Sequence, residues 1–224
     1  MPEASIRDFA DNAVDPKVRG FLHTPETPNG NALILTHGAG SNAQAPLLVA
    51  LAETFSANGF TVLRCDLPYR QSRSFGPPGQ GDAARDRAGL KNAIAIMRGM
   101  VQGRIFLGGH SYGGRQASML CAEDRDLAAA LLLLSYPLHP PRKPEQQRTQ
   151  HLPDLRTPAL FVSGTRDPFG SIPELQQALK MIPARTKLLS VEGVGHDLGF
   201  KGKAKQELPQ IIFSELIKFL DLSS

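Results

Sequence analysis

The residues best set for chemistry begin with Ser111. Gly109-His110-Ser111-Tyr112-Gly113 has the form G-x-S-x-G, directly after the apolar run 105–109 and ahead of a segment with helical character. That context predicts a strained strand-to-helix turn exposing the serine hydroxyl, with glycines admitting close backbone approach on either side. A serine is a poor nucleophile until a base takes its proton. Two later residues meet that need in the order such an elbow calls for, acid before histidine. Asp167 stands in Phe161-Val162-Ser163-Gly164-Thr165-Arg166-Asp167-Pro168 and His196 in Glu192-Gly193-Val194-Gly195-His196-Asp197, each just past a strand candidate. The expected chemistry is acyl transfer: Ser111 attacks, His196 acts as base and then acid, and Asp167 fixes the imidazole tautomer. Asp197 is a rival acid, poorly placed to reach the ring of its own neighbour. Asp66, ending an earlier strand candidate, is a second rival.

Negative charge on the reacting carbonyl oxygen needs two donors. The backbone N–H of Tyr112, next after the nucleophile, is one. The other is expected from Thr36-His37-Gly38-Ala39-Gly40-Ser41, with Ala39 first and Gly40 second; His37 is read as structural, since His196 already fills the base position. Gly38-Ala39-Gly40-Ser41-Asn42-Ala43 also matches the dinucleotide pattern G-x-G-x-x-G/A, with Asp66 near where a ribose-binding acid would fall. That reading leaves the elbow, Asp167 and His196 without a role, and Pro46 starts the next helix late for a pyrophosphate at Gly40. No cofactor and no metal is expected.

These residues need a scaffold that delivers them to one edge. Apolar runs at 32–36, 60–65, 105–109, 129–134, 159–163 and 187–191 read as strands buried on both faces, hence a mostly parallel sheet. Helical segments at 46–58, 82–101, 113–123, 173–181 and 208–220 alternate with them, which makes the class α/β with helices on both faces. Residues 5–24 carry turn signals and could add antiparallel edge strands. Long loops at 67–81 and 136–158 follow strand ends, where open α/β sheets place ligands. Tyr69, Arg70 and His139 in these loops, with Gly40, are candidate pocket residues. The later loop is a candidate cap, and arginines near the site suggest that an anionic acyl group could be accepted.

The totals set outer bounds. At 224 residues one domain over 1–224 is expected, and 41% hydrophobic with 21% charged residues is ordinary for a soluble globular chain. A net charge of +4, spread along the chain, does not make a nucleic-acid case. The N-terminal stretch carries Glu3, Arg7 and Asp8 where a signal peptide needs apolar residues, and no run is long enough for a membrane span, so a cytoplasmic location is expected. Cys65 and Cys121 are expected as buried free thiols.

The blocks His37-Gly38-Ala39-Gly40, Gly109-His110-Ser111-Tyr112-Gly113-Gly114-Arg115 and Gly164-Thr165-Arg166-Asp167-Pro168-Phe169-Gly170 resemble small α/β-hydrolases of the dienelactone-hydrolase-like group. Ser135-Tyr136-Pro137-Leu138-His139-Pro140-Pro141 and His151-Leu152-Pro153 resemble the branch that includes a subunit of the non-specific-lethal chromatin complex. The resemblance implies an α/β-hydrolase fold with no large lid domain, no cofactor, and hydrolysis of a small carboxylic ester or thioester. Dienelactone hydrolases proper use cysteine as nucleophile where this chain has Ser111, so their substrate is not carried over. Some members of the branch act as scaffolds, which makes a non-catalytic interaction module the alternative.

Overall fold

The computed structural model describes residues 4–200 and 207–222. The rest of the expected 1–224 span lies outside the described residues. Beginning at the N-terminus, β1 (Ser5–Asp11) and β2 (Val18–Thr24) form an antiparallel pair, followed by β3 (Ala32–Thr36), α1 (Pro46–Ala57) and β4 (Thr61–Asp66). Next come α2 (Pro68–Ser72), α3 (Asp82–Met100), β5 (Ile105–His110), α4 (Tyr112–Glu123) and β6 (Ala130–Leu134). A single 3-10 turn (Leu152–Asp154), β7 (Ala159–Gly164), α5 (Ile172–Leu179), β8 (Thr186–Val191) and α6 (Leu208–Phe219) complete the order.

The strands make one eight-stranded sheet in the order β1-β2-β4-β3-β5-β6-β7-β8. From β4 to β8 every pairing is parallel; β1 and β2 run antiparallel at one edge. Side chains alternate across a strand, so each central strand feeds two cores. Ala32 and Ile34 of β3 and Leu131 and Leu133 of β6 join Leu90, Ala93, Ile94 and Met97 of α3 on one side. Leu33 and Leu35, with Ala130, Leu132 and Leu134, face Leu48, Leu51 and Phe55 of α1 and Ile212 and Leu216 of α6 on the other. Burial on both faces is why these strands read as unbroken apolar runs.

Two expectations are revised. β8 is the outer strand and is nowhere fully buried, with Lys187 turned to an ion pair with Glu215 of α6 at 2.6 Å. Loop 67–81 opens with a helix, α2, because Pro68 suits a first helical turn. Both cysteines are buried and free, and burial pushes each thiol up to about 12, which leaves them inert. No helix among the described residues is long and apolar enough to cross a membrane.

Candidate active site

The C-terminal ends of the parallel strands converge on Ser111. It has φ 52° and ψ −117°, a strained conformation for a residue with a side chain, between the end of β5 and the first turn of α4. Its N–H donates to the Leu134 carbonyl at 2.8 Å and its carbonyl accepts from the Arg115 N–H at 3.0 Å. Gly113 is fixed by close approach: a Cβ there would lie 2.5 Å from the His37 carbonyl oxygen. The elbow is thereby pressed against the loop after β3.

Asp167, His196 and Ser111 form a hydrogen-bonded series. His196 Nε2 lies 2.8 Å from Ser111 Oγ, and its Nδ1 lies 2.8 and 3.0 Å from the two Asp167 oxygens. The side chain of Asp167 is 1% exposed and that of His196 22%, so the carboxylate is sealed while the ring meets solvent. Asp167 also accepts from the Phe169 N–H at 2.9 Å, and the Phe169 ring stacks on the imidazole with centroids 4.2 Å apart. The two loops are sewn together by Arg166 N–H to the Val194 carbonyl and Gly193 N–H to Thr165 Oγ1, both 2.9 Å. Gly164 permits this, since any Cβ there would strike the Val194 and Gly195 carbonyls.

The rival acids are engaged elsewhere. Asp66 accepts from the Ala43 N–H at 2.7 Å and lies 3.5 Å from His37 Nε2, holding the loop after β3. Asp197 accepts from the Gly199 N–H at 3.1 Å. His37 is fully buried, its Nδ1–H donating to the Gly38 carbonyl and its Nε2 accepting from the Leu67 N–H; burial holds its pKa below the usual imidazole value.

Loop 38–41 is held from behind. Tyr69 Oη–H donates to the carbonyls of Gly38 and Ala39 at 3.2 and 2.8 Å, while Arg70 donates to Ala39 and Ser41 at 3.2 and 2.8 Å. In a trans peptide the N–H points opposite to the C=O. The N–H groups of Ala39 and Gly40 are therefore turned away from Tyr69 and Arg70, and neither has a hydrogen-bond acceptor among the described residues.

A cavity of about 400 Å³ opens beside Ser111, lined by apolar side chains of Ala45, Pro46, Leu47, Leu48, Phe169 and Phe200. Loop residues Gly38 to Ser41, with His37, His110, His196 and Asp197, complete its wall. Gly40 lies in this wall. Tyr69 and Arg70 are buried behind the loop and do not line the cavity. Nor does His139, which is buried and bonded through Nδ1 to the Pro140 carbonyl. No lysine or arginine lines it among the described residues, and loop 136–158 contributes nothing to its wall.

A model of the family described as alpha/beta hydrolase domain matches residues 29–219. The chain belongs to the α/β-hydrolase family. Its fold is similar to that of a dienelactone hydrolase from Anabaena variabilis, at 20% identity over 96% of this chain and 97% of that one, TM-score 0.75. It is also similar to a Xanthomonas campestris protein described as an α/β serine hydrolase without lid, at 15% identity over 100% and 99% of the chains, TM-score 0.71. An esterase from Pyrococcus furiosus matches at 16% identity over 98% and 91%, TM-score 0.74. At these identities the likeness establishes the fold alone.

Three site residues of this α/β-hydrolase went unread in the sequence. His110 Nε2–H donates to the His196 carbonyl at 2.7 Å, anchoring the histidine loop, and burial pulls its pKa down to about 4. Phe169 backs the imidazole. Asp86, fully buried on α3, accepts from Tyr69 N–H at 3.0 Å and Tyr112 Oη–H at 2.7 Å. His110 carried a signal in its place in the elbow and Phe169 in its place in the block 164–170, whereas Asp86 carried none.

Proposed function

We propose that this α/β-hydrolase is a serine esterase or thioesterase that takes uncharged, apolar acyl groups. The reading is carried by one observation: the series Asp167–His196–Ser111, with Ser111 strained at the mouth of an apolar cavity. His196 Nε2 takes the Ser111 proton as Oγ attacks the carbonyl carbon, and charge moves to the carbonyl oxygen. The N–H groups of Tyr112 and Ala39, with Gly40 beside them, receive that oxyanion. Collapse of the adduct expels the alcohol or thiol, which takes the proton from His196 and leaves an acyl-enzyme on Ser111. Water then attacks the acyl carbon, His196 taking and returning its proton, and the carboxylic acid is released. Asp167 keeps Nδ1 protonated throughout.

The lining decides the substrate class. A cavity walled by Leu47, Leu48, Phe169 and Phe200, with no cation among the described residues, favours butyryl- to octanoyl-sized or aryl groups over a carboxylate-bearing one. This replaces the anionic acyl group suggested by the loop arginines. We read residues 1–224 as one such domain; the narrower placement beside the chromatin-complex subunit rests on sequence blocks 135–141 and 151–153 alone. The test is hydrolysis of matched p-nitrophenyl butyrate and hemisuccinate esters by wild type and Ser111→Ala. Burying an unpaired carboxylate is costly, so butyrate is expected to lead by at least about tenfold in kcat/KM, with Ser111→Ala at background. Equal rates for the two esters would remove the substrate assignment. Turnover by Ser111→Ala equal to wild type would remove the mechanism.

A further inference from the structure

We propose that Asp86 is a positioning residue for the oxyanion, its buried carboxylate tying together the two backbone segments that receive the charge. The proposal rests on the reading of Ser111 as nucleophile and of Tyr112, Ala39 and Gly40 as donors, and adds what holds those donors in place.

Asp86 has no solvent exposure and sits on the core-facing side of α3. A buried carboxylate is costly unless hydrogen-bonded, and an apolar residue would serve packing alone better. Its two oxygens are divided between two elements. Oδ1 accepts from the Tyr69 N–H of α2 at 3.0 Å; Oδ2 accepts from Tyr112 Oη–H of α4 at 2.7 Å. Each tyrosine then leads to one side of the oxyanion site.

On the first side, Tyr69 passes the constraint on through its own hydroxyl, which donates to the Gly38 and Ala39 carbonyls. Those carbonyls belong to the peptides whose N–H groups are those of Ala39 and Gly40. Rotating either carbonyl off the Tyr69 hydroxyl therefore swings the corresponding donor out of line. Arg70, next in α2, reinforces the hold through Ala39 and Ser41 and carries it to the Gly76 carbonyl at 2.8 Å. On the second side, Tyr112 is the residue whose own N–H is the other donor. Its ring is fixed by Asp86 at the hydroxyl and by edge-on contact with the Tyr69 ring, centroids 5.8 Å apart. One carboxylate thus sets the spacing between donors that come from different loops. Misplacing reacting groups by about 1 Å costs on the order of a hundredfold, so such spacing is worth a buried charge.

The experiment compares wild type, Asp86→Asn, Tyr69→Phe and the double variant on p-nitrophenyl butyrate, with pH profiles of kcat and melting temperatures. The Asp86→Asn amide would offer one acceptor for two donors; the Tyr69→Phe change removes only the hydroxyl that holds loop 38–41. Each single variant is expected to lower kcat by about 10- to 100-fold, short of the roughly 10²–10³ that losing a donor outright costs. KM should stay within about twofold and the pH profile should keep its midpoint. The double variant should fall well short of the product of the singles, because both act along one route. If Asp86→Asn fails to fold, Tyr112→Phe, which removes the hydroxyl bonded to Asp86 Oδ2, carries the test together with Tyr69→Phe by the same criteria. Wild-type kcat in the folded variants overturns the proposal, as does a loss that moves the pH midpoint, which would place the defect at the base. Failure of the hydrolase reading itself would show as no turnover by wild type, and the proposal would fall with it.

Discussion

The imidazole of His196 is held on four sides. Asp167 fixes Nδ1, Ser111 Oγ meets Nε2, Phe169 covers one face, and His110 grips the backbone carbonyl behind the ring. Of these constraints the Asp167 contact governs which nitrogen carries the proton. An amide at that position would offer its NH₂ to Nδ1 and favour the tautomer with the proton on Nε2, which cannot take one from serine. In a well-studied serine protease the equivalent change costs about 10⁴ in kcat. Asp167→Asn is therefore expected to lower kcat on p-nitrophenyl butyrate by about 10³–10⁴ with the melting temperature nearly unchanged. A loss smaller than about tenfold in a folded variant would mean that another group orients His196.

Which elements could be read in the sequence follows from how much of each is settled by its own residues. Strands β3, β6 and β7 are buried along their whole length, so the apolar run and the strand coincide. Ser111 follows β5, Asp167 follows β7 and His196 follows β8, and this order along the chain made the Ser111, Asp167 and His196 series legible in the sequence. β8 reads the same way in its residues, yet its place at the sheet edge and its Lys187–Glu215 pair arise from the neighbour that α6 supplies. α2 was hidden because five residues give too short a span for periodicity. The positions of Tyr69 and Arg70 behind loop 38–41, and of Asp86 beneath both tyrosines, were also illegible: those contacts join residues 17 to 31 positions apart and depend on packing. The same packing keeps Arg70 out of the cavity wall, since its guanidinium spends its donors on the carbonyls of Ala39, Ser41, Arg73 and Gly76.

Across the whole molecule, burial of neutral histidines couples stability to pH. Burial lowers His23, His110 and His151 each to about 4, with nearby cations adding to the effect at His23 and His151. An imidazole in the unfolded chain titrates near about 6.5. Between about pH 4 and 6.5 the unfolded state therefore binds more protons than the folded one, so stability rises with pH across that window and falls on acidification. Thermal unfolding followed at about pH 7, 6 and 5 is expected to show a falling midpoint, least over the first step and steeper below it. A midpoint constant across that range would contradict neutral burial of these rings. The proposed activation of Ser111 is tested by labelling with a serine-reactive fluorophosphonate, read by intact mass and peptide mapping. A single stoichiometric adduct on Ser111 is expected in wild type, none in Ser111→Ala, and strongly slowed labelling in His196→Ala. An unlabelled wild type, or an adduct persisting in Ser111→Ala, would contradict it.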